Sequence, residues 1–262
     1  VHYQLSNLAF FIECDYNKSL VEIKKSIAIN SNNAEAQQFI SFLYIVAGEK
    51  TKSNQHLKIA LSINPLSEET RFFRAYYHYM INDYSKSLEL LKDCLNANDK
   101  NIPAHSVKSL CLLKLGQYDD VINYFDSIPQ EVVIPGEKIG AIALAHALKG
   151  DAEKSSEYFG LLEDMAKAPN GFTADSYLFL MYAATQQYDI AFEWAESALK
   201  NKSSLLLLRF TDPIVNELRK NSKFVPLLTQ IYLVDSVVSQ SNKKKTLIDA
   251  ETVIIYKHRL ID

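Results

Sequence analysis

A 34-residue period is the feature that most constrains how this 262-residue chain can fold. The phrase CDYNKSLVEI at residues 14–23 returns as NDYSKSLELL at residues 82–91, two periods later. Asn30, Asn64 and Asn98 each follow an apolar segment at steps of 34 residues. Self-similarity at a period of about 20 to 50 residues is typical of proteins built by stacking one small unit. The sequence therefore predicts a repeat protein.

Two ladders of residues share this period and indicate two helices in each unit. Apolar residues recur at three- and four-residue steps, and only seven Gly and seven Pro are present, which favours helix. Gly48, Gly116 and Gly150, with Asn82 in the third unit, fall where one helix must turn into the next. The small-residue ladder is Ser19, Ser53, Ser87, Val121 and Ser155, and the large-residue ladder is Ile23, Leu57, Leu91, Phe125 and Phe159.

These positions resemble the tetratricopeptide repeat, most closely in the segment DYSKSLELLKDCLNAND at residues 83–99. The resemblance covers residues 1–199. It implies an all-α, right-handed superhelix of about six helix pairs with a C-terminal capping helix. Asp212 is the expected N-cap of that helix, and Pro213 the expected first helical residue.

Three regions follow from this interpretation. Residues 1–199 are expected to form the superhelix, residues 200–238 its capping helices, and residues 239–262 a linker with the start of a further helix. Pro129 and Pro135 make the fourth unit irregular, because proline ends helices.

The resemblance also predicts a binding groove, since the first helices of stacked pairs form the inner wall of such a superhelix. Side chains that recur on the inward stripe of these helices are apolar and aromatic. A protein or peptide partner is expected to bind them. The alternative is that they touch only neighbouring helices and serve as core. The predicted partner-binding residues are Gln38, Phe42, Ile45, Phe72, Tyr76, Tyr79, Ser106, Leu110, Leu113 and Leu144.

Catalytic, cofactor and metal sites are not indicated by the sequence. The six histidines show no HExxH or His-Cys grouping, and no glycine-rich nucleotide motif or GxSxG is present. We therefore expect no enzyme activity, no cofactor and no metal. The aliphatic run LLLL at 205–208 is too short to span a membrane. An odd number of cysteines without a CxxC pair favours a reducing, cytoplasmic setting.

The C-terminal region differs from the rest of the chain in charge. Residues 200–262 hold eleven Lys and Arg against six Asp and Glu, so this region carries about +5 and the remainder about −8. The segment TLIDAETVIIYKHRLID at 246–262 resembles the entry into the helix-turn-helix domain of AraC-type bacterial regulators. That resemblance implies the regulatory part of a transcription regulator, with DNA bound only through a domain beyond residue 262. The alternative is a free-standing scaffold or assembly adaptor, and a homodimer is compatible with either.

Overall fold

The computed structural model describes residues 1–129, 131, 133–168, 174–203, 205–224 and 226–227. Within these ranges the chain forms α-helices and short 3-10 turns, with no strand, which confirms the predicted all-α fold. The helices are α1 (His2–Phe11), α2 (Tyr16–Ile29), α3 (Ala34–Val46), α4 (Lys50–Ile63), α5 (Glu68–Met80), α6 (Tyr84–Ala97), α7 (Ile102–Lys114), α8 (Tyr118–Ser127), α9 (Pro135–Lys149), α10 (Ala152–Lys167), α11 (Ala174–Ala184), α12 (Tyr188–Lys200) and α13 (Leu206–Thr211).

Helices α1 to α12 pack as six successive pairs, as the 34-residue period predicts. Each odd-numbered helix packs on the even-numbered helix that follows it. The first helices of neighbouring pairs also contact one another, from α3 through α5, α7 and α9 to α11. Stacking buries the face that one pair could not bury alone. The odd-numbered helices α3 to α11 thus line up as one continuous wall, named here the first-helix wall.

The small-residue ladder marks the close approach of the two helices in a pair. Ser19, Ser53 and Ser87 are fully buried. The Ser87 hydroxyl donates to the Ala75 carbonyl oxygen of α5 at 2.8 Å. Ser155 makes the equivalent bond to Ala143 at 3.2 Å. A small hydroxyl side chain therefore fits here because it satisfies its own hydrogen bond without pushing the helices apart.

The turns within the pairs repeat one backbone conformation. Gly48, Gly116 and Gly150 have φ of 79°, 75° and 88°, and Asn82 takes φ of 67° at the same place in its unit, as predicted. Cys14 and Gln186 adopt φ of 55° and 63° at the equivalent positions of the first and sixth pairs. Sequence reasoning missed these two, because the left-handed conformation is unusual for such residues. The left-handed turn conformation thus recurs in these units even where the residue is neither Gly nor Asn.

The chain after α12 departs from the predicted capping helix. Asp212 does cap, since its side chain accepts the Ile214 N–H, but the element it starts is a 3-10 turn at Pro213–Val215. The α-helix lies before it, at Leu206–Thr211, and a second 3-10 turn follows at Leu218–Lys220. The predicted N-cap Asp212 and first helical residue Pro213 are confirmed, but the helix that they begin is of the 3-10 type rather than α. The predicted linker at 239–245 and helix start at 246–262 lie outside the described residues.

Substitution of Ser87 by Phe tests the helix-pair packing. The aromatic ring has no space between α5 and α6, so we expect a loss of about 1–3 kcal/mol in the free energy of unfolding. Lys92→Phe, which places the same ring on the exposed side of α6, is the matched control and is expected to change little. Urea unfolding followed by circular dichroism measures both. Equal midpoints for the two variants would contradict the packing described here.

Candidate functional site

The C-terminal segment, defined as residues 203, 205–224 and 226–227, packs against the first-helix wall. Seven of its large apolar side chains are at most 4% exposed. Phe210 contacts Phe179 of α11 edge-to-face, with ring centroids 4.8 Å apart. These buried side chains are Leu206, Leu207, Phe210, Val215, Leu218, Phe224 and Leu227. The segment is therefore part of the core rather than a surface appendage.

Contacts with this segment are distributed along the whole stack of pairs. Near the first pair, the Cys14 thiol lies 3.5 Å from the Ser203 carbonyl oxygen. In the third pair, the Tyr79 hydroxyl donates to Asp212 Oδ1 at 2.5 Å. In the sixth pair, the Arg209 guanidinium lies 4.5 Å from the centre of the Tyr177 ring. The segment thus covers the face on which the sequence predicts a groove.

Most of the ten predicted partner-binding residues are buried. Phe72 and Ser106 are half-buried. The Ser106 hydroxyl donates to Glu137, and the Gln38 amide donates to Ser67 Oγ at 3.2 Å and to Thr70, so both reach the next pair. The eight buried ones are Gln38, Phe42, Ile45, Tyr76, Tyr79, Leu110, Leu113 and Leu144. A partner-binding role for these residues stays a prediction, and in this structure they contact the chain itself.

A buried polar network holds the segment at the centre of the wall. Asp212 Oδ1 accepts a hydrogen bond from the Tyr79 hydroxyl, and Asp212 Oδ2 lies 3.9 Å from Arg209 Nη1. The Tyr177 hydroxyl, beside Arg209, donates to Glu137 at 3.2 Å. Burial raises the pKa of Asp212 and of Glu137, and Arg209 opposes both shifts. Two carboxyl groups and one guanidinium are thus removed from water together, where each depends on the others for stabilisation.

Sequence reasoning found only part of this network. It identified Asp212 as a cap, and it placed Tyr79 on the inward stripe. It missed Arg209 and Glu137. A signal was present in both cases, because Arg209 is the one charged residue of LLLLRF, and Glu137 stands beside Lys138 in the largely apolar IPGEKIGAIALA. Charged residues in such runs are buried only with partners.

One aromatic edge of the wall remains accessible. Phe11, Phe72 and Phe73 are half-buried. They sit on the buried rings of Phe42 and Tyr76: Phe11 stacks on Phe42 at 6.2 Å, Phe73 contacts Phe42 at 5.6 Å, and Phe72 stacks on Tyr76 at 6.2 Å. Each of these three rings is thus backed by a buried aromatic ring.

The histidines and cysteines of the described residues show no metal-binding cluster. No group of three or more His, Cys, Asp or Glu with metal-binding geometry occurs there. His78 and His146, at equivalent repeat positions, each hydrogen bond the aspartate five residues later, Asp83 and Asp151. Burial raises the pKa of the Cys111 thiol to about 12, which makes it a poor nucleophile. No helix among the described residues is long and apolar enough to cross a membrane.

Removal of the Asp212 carboxylate tests whether the network anchors the segment. Asp212→Ala removes the buried ion pair of Arg209 and leaves the Tyr79 hydroxyl without its acceptor, so we expect a loss of about 3–5 kcal/mol in unfolding free energy. Tyr79→Phe removes one hydrogen bond to a charged acceptor and should cost about 1.5–3 kcal/mol. Asp189→Ala, which removes a surface pair with Lys223, is the control and should change little. If Asp212→Ala unfolded like the control in urea, the network would have no anchoring role.

Comparison with known proteins agrees with the repeat architecture. The family model described as anaphase-promoting complex, cyclosome, subunit 3 (ANAPC3) matches residues 55–128, which include the two units whose sequence pattern is clearest. No curated protein matches the whole chain or a part of it significantly.

Two solved structures share the fold at low sequence identity. PilW, described as a widely conserved type IV pilus biogenesis factor, is 18% identical with a TM-score of 0.54, covering 79% of this chain and 95% of PilW. Human IFIT1, solved as a dimer with PPP-AAAA, is 15% identical with a TM-score of 0.56. That match covers 91% of this chain and 60% of IFIT1. The described part of this chain is a helical repeat structure of the tetratricopeptide type.

Proposed function

We propose that this chain is a non-enzymatic interaction module that binds a protein or peptide partner at the aromatic edge formed by Phe11, Phe72 and Phe73. The observation that supports this most is the partial exposure of three phenyl rings that pack on the buried rings of Phe42 and Tyr76. Aromatic side chains with packed support are the residues that most often dominate binding free energy at protein interfaces. Of the ten residues predicted from sequence, Phe72 is the one that contributes directly to this edge, with Phe42 and Tyr76 beneath it.

The free-energy cost of displacing the C-terminal segment makes the aromatic edge a better binding site than the covered part of the wall. A partner that bound Tyr79 would first have to displace the C-terminal segment, because Asp212 of that segment accepts the Tyr79 hydroxyl. Exposing its seven buried apolar side chains would cost on the order of 10–20 kcal/mol, at about 1.5–3 kcal/mol for each. A micromolar complex releases only about 8 kcal/mol. We therefore assign the covered residues to holding the segment and the edge to partner binding.

Within this proposal, the finer hypothesis is the regulatory part of a bacterial transcription regulator located in the cytoplasm. The positive charge of residues 200–262 and the resemblance of 246–262 to the entry of a helix-turn-helix domain support it. The three free thiols suit a reducing compartment. A free-standing scaffold or assembly adaptor is the alternative. A DNA-binding assay separates the two hypotheses. The regulator hypothesis predicts sequence-specific DNA binding by a form extended beyond residue 262 and none by the 262-residue chain, whereas the adaptor hypothesis predicts no specific binding by either.

Peptides selected from a random library against the chain provide the probe for the interaction site. Phe72→Ala and Phe11→Ala are each expected to raise the Kd of a selected peptide by about tenfold or more, because each removes a ring from the contact. Phe72→Tyr should restore most of the affinity. Fluorescence anisotropy measures the Kd, and thermal melts verify that each variant is folded.

Ile29→Ala is the matched control, since it truncates a 75% exposed apolar side chain on α2, away from the edge. Its Kd should equal that of the parent chain. A folded Phe72→Ala, Phe11→Ala double variant that binds selected peptides with unchanged Kd would contradict the proposed site. Failure to select any peptide that binds would contradict the proposed function.

A further inference from the structure

A cavity of about 190 Å³ lies where the C-terminal segment meets the third and fourth helices of the stack. Its walls come from the turn between α3 and α4, the end of α5 and the turns that follow α13. One water molecule occupies about 30 Å³ of the liquid, so the space admits a small ion or several waters. The polar residues that line it are Gly48, Lys50, Asn82, Thr211, Asn216 and Arg219.

Arg219 is the charged group of this cavity that has a buried donor without an acceptor. Its Nη2 donates to the Asp212 carbonyl oxygen at a long 3.5 Å. Its Nε is buried and has no acceptor among the described residues. A guanidinium carries five N–H donors, and a buried charge without matching acceptors is costly. The cavity is therefore bordered by a cation whose hydrogen bonds are incomplete.

Neighbouring carboxylates do not supply the hydrogen-bond acceptors that the Arg219 guanidinium lacks. Asp212 is the nearest acidic residue on the segment, and its Oδ1 already accepts from the Tyr79 hydroxyl and the Ile214 N–H. Its Oδ2 faces Arg209 at 3.9 Å. The Asp212 carboxylate thus pairs with Arg209, whereas Arg219 has no carboxylate within ion-pair distance among the described residues.

The rim of the cavity carries further donors. Lys50 is exposed there, and the adjacent Glu49 pairs with Lys52 at 3.4 Å rather than with it. Asn82 accepts the Tyr84 hydroxyl through its Oδ1 at 2.7 Å, so its amide N–H₂ is the group left to donate. Two cations and an amide donor that line one cavity suit the oxygens of one small anion.

We propose that this cavity binds a small oxyanion, a phosphate or carboxylate group, held by Arg219 with Lys50 and Asn82 as supporting donors. The group can come from a free ion or from an acidic metabolite, since both present the same oxygens. The ligand bridges the turn between α3 and α4, the end of α5 and the C-terminal segment. Its occupancy therefore stabilises the attachment of that segment to the wall.

Calorimetric titration of the 262-residue chain with inorganic phosphate, and separately with acetate, tests this site. We expect phosphate to bind and to raise the melting temperature. Lys50→Gln, a change at an exposed position that should not affect folding, is expected to raise the Kd by several-fold. Arg219→Gln should raise it by about tenfold or more, because it removes the charge-assisted hydrogen bonds.

Controls separate this site from general attraction of anions. Lys24→Gln removes an exposed cation of α2, outside the cavity, and should leave the Kd unchanged. Binding of both ions supports a general oxyanion site, and binding of phosphate alone identifies the phosphate group. Absence of binding by either ion at millimolar concentration overturns the proposal. The proposal is also overturned if Lys24→Gln raises the Kd as much as Lys50→Gln does. This comparison remains valid even if Arg219→Gln fails to fold.

Discussion

Burial of the inner face of the first-helix wall is the constraint on which the rest of this structure depends. Stacking covers the sides of each first helix, but it leaves one stripe of every helix facing away from its neighbours. In this chain that stripe holds Tyr76, Tyr79, Leu110 and Leu144, which are too apolar to be left in water without cost. The chain's own C-terminal segment packs on this face, where Asp212 accepts a hydrogen bond from Tyr79 and Phe210 contacts Phe179. The repeat stack and the segment therefore form one core, and each would expose apolar side chains to water without the other.

Polar groups within that core determine how the segment lies. Apolar side chains alone would allow several registers, because apolar contacts have no preferred direction. The hydrogen bond from Tyr79 to Asp212 and the contact of Arg209 with Tyr177 are directional, and each joins the segment to a different pair. Buried ion pairs add little net stability, but breaking one is costly. We therefore expect the network to specify one position of the segment rather than to strengthen its attachment overall.

The sequence predicted the repeat units well because their determinants are local and periodic. Ser87 and Leu91 sit 34 residues from their equivalents, and both lie where the period requires, in the contact between α5 and α6. The packing of the segment was not predictable in this way. Tyr79 and Asp212 are 133 residues apart and belong to no common pattern. An inward aromatic residue such as Tyr76 also looks the same in sequence whether a partner or the chain itself covers it.

The same distinction separates the two proposed sites. The aromatic edge could be found in part from sequence, since Phe72 lies on the predicted stripe, whereas Phe11 and Phe73 required the structure. The oxyanion cavity could not be found at all, because Lys50, Asn82 and Arg219 come from three regions that only the folded segment brings together.

Hydrogen–deuterium exchange of the intact chain measures the central claim most directly. If the C-terminal segment packs on the first-helix wall as described, the amides of residues 206–211 will exchange as slowly as those of α11 at 174–184. Both sets of amides will also lose protection together as denaturant is added. Exchange of residues 206–211 within seconds, while α11 stays protected, would contradict the account and leave the first-helix wall open as a groove.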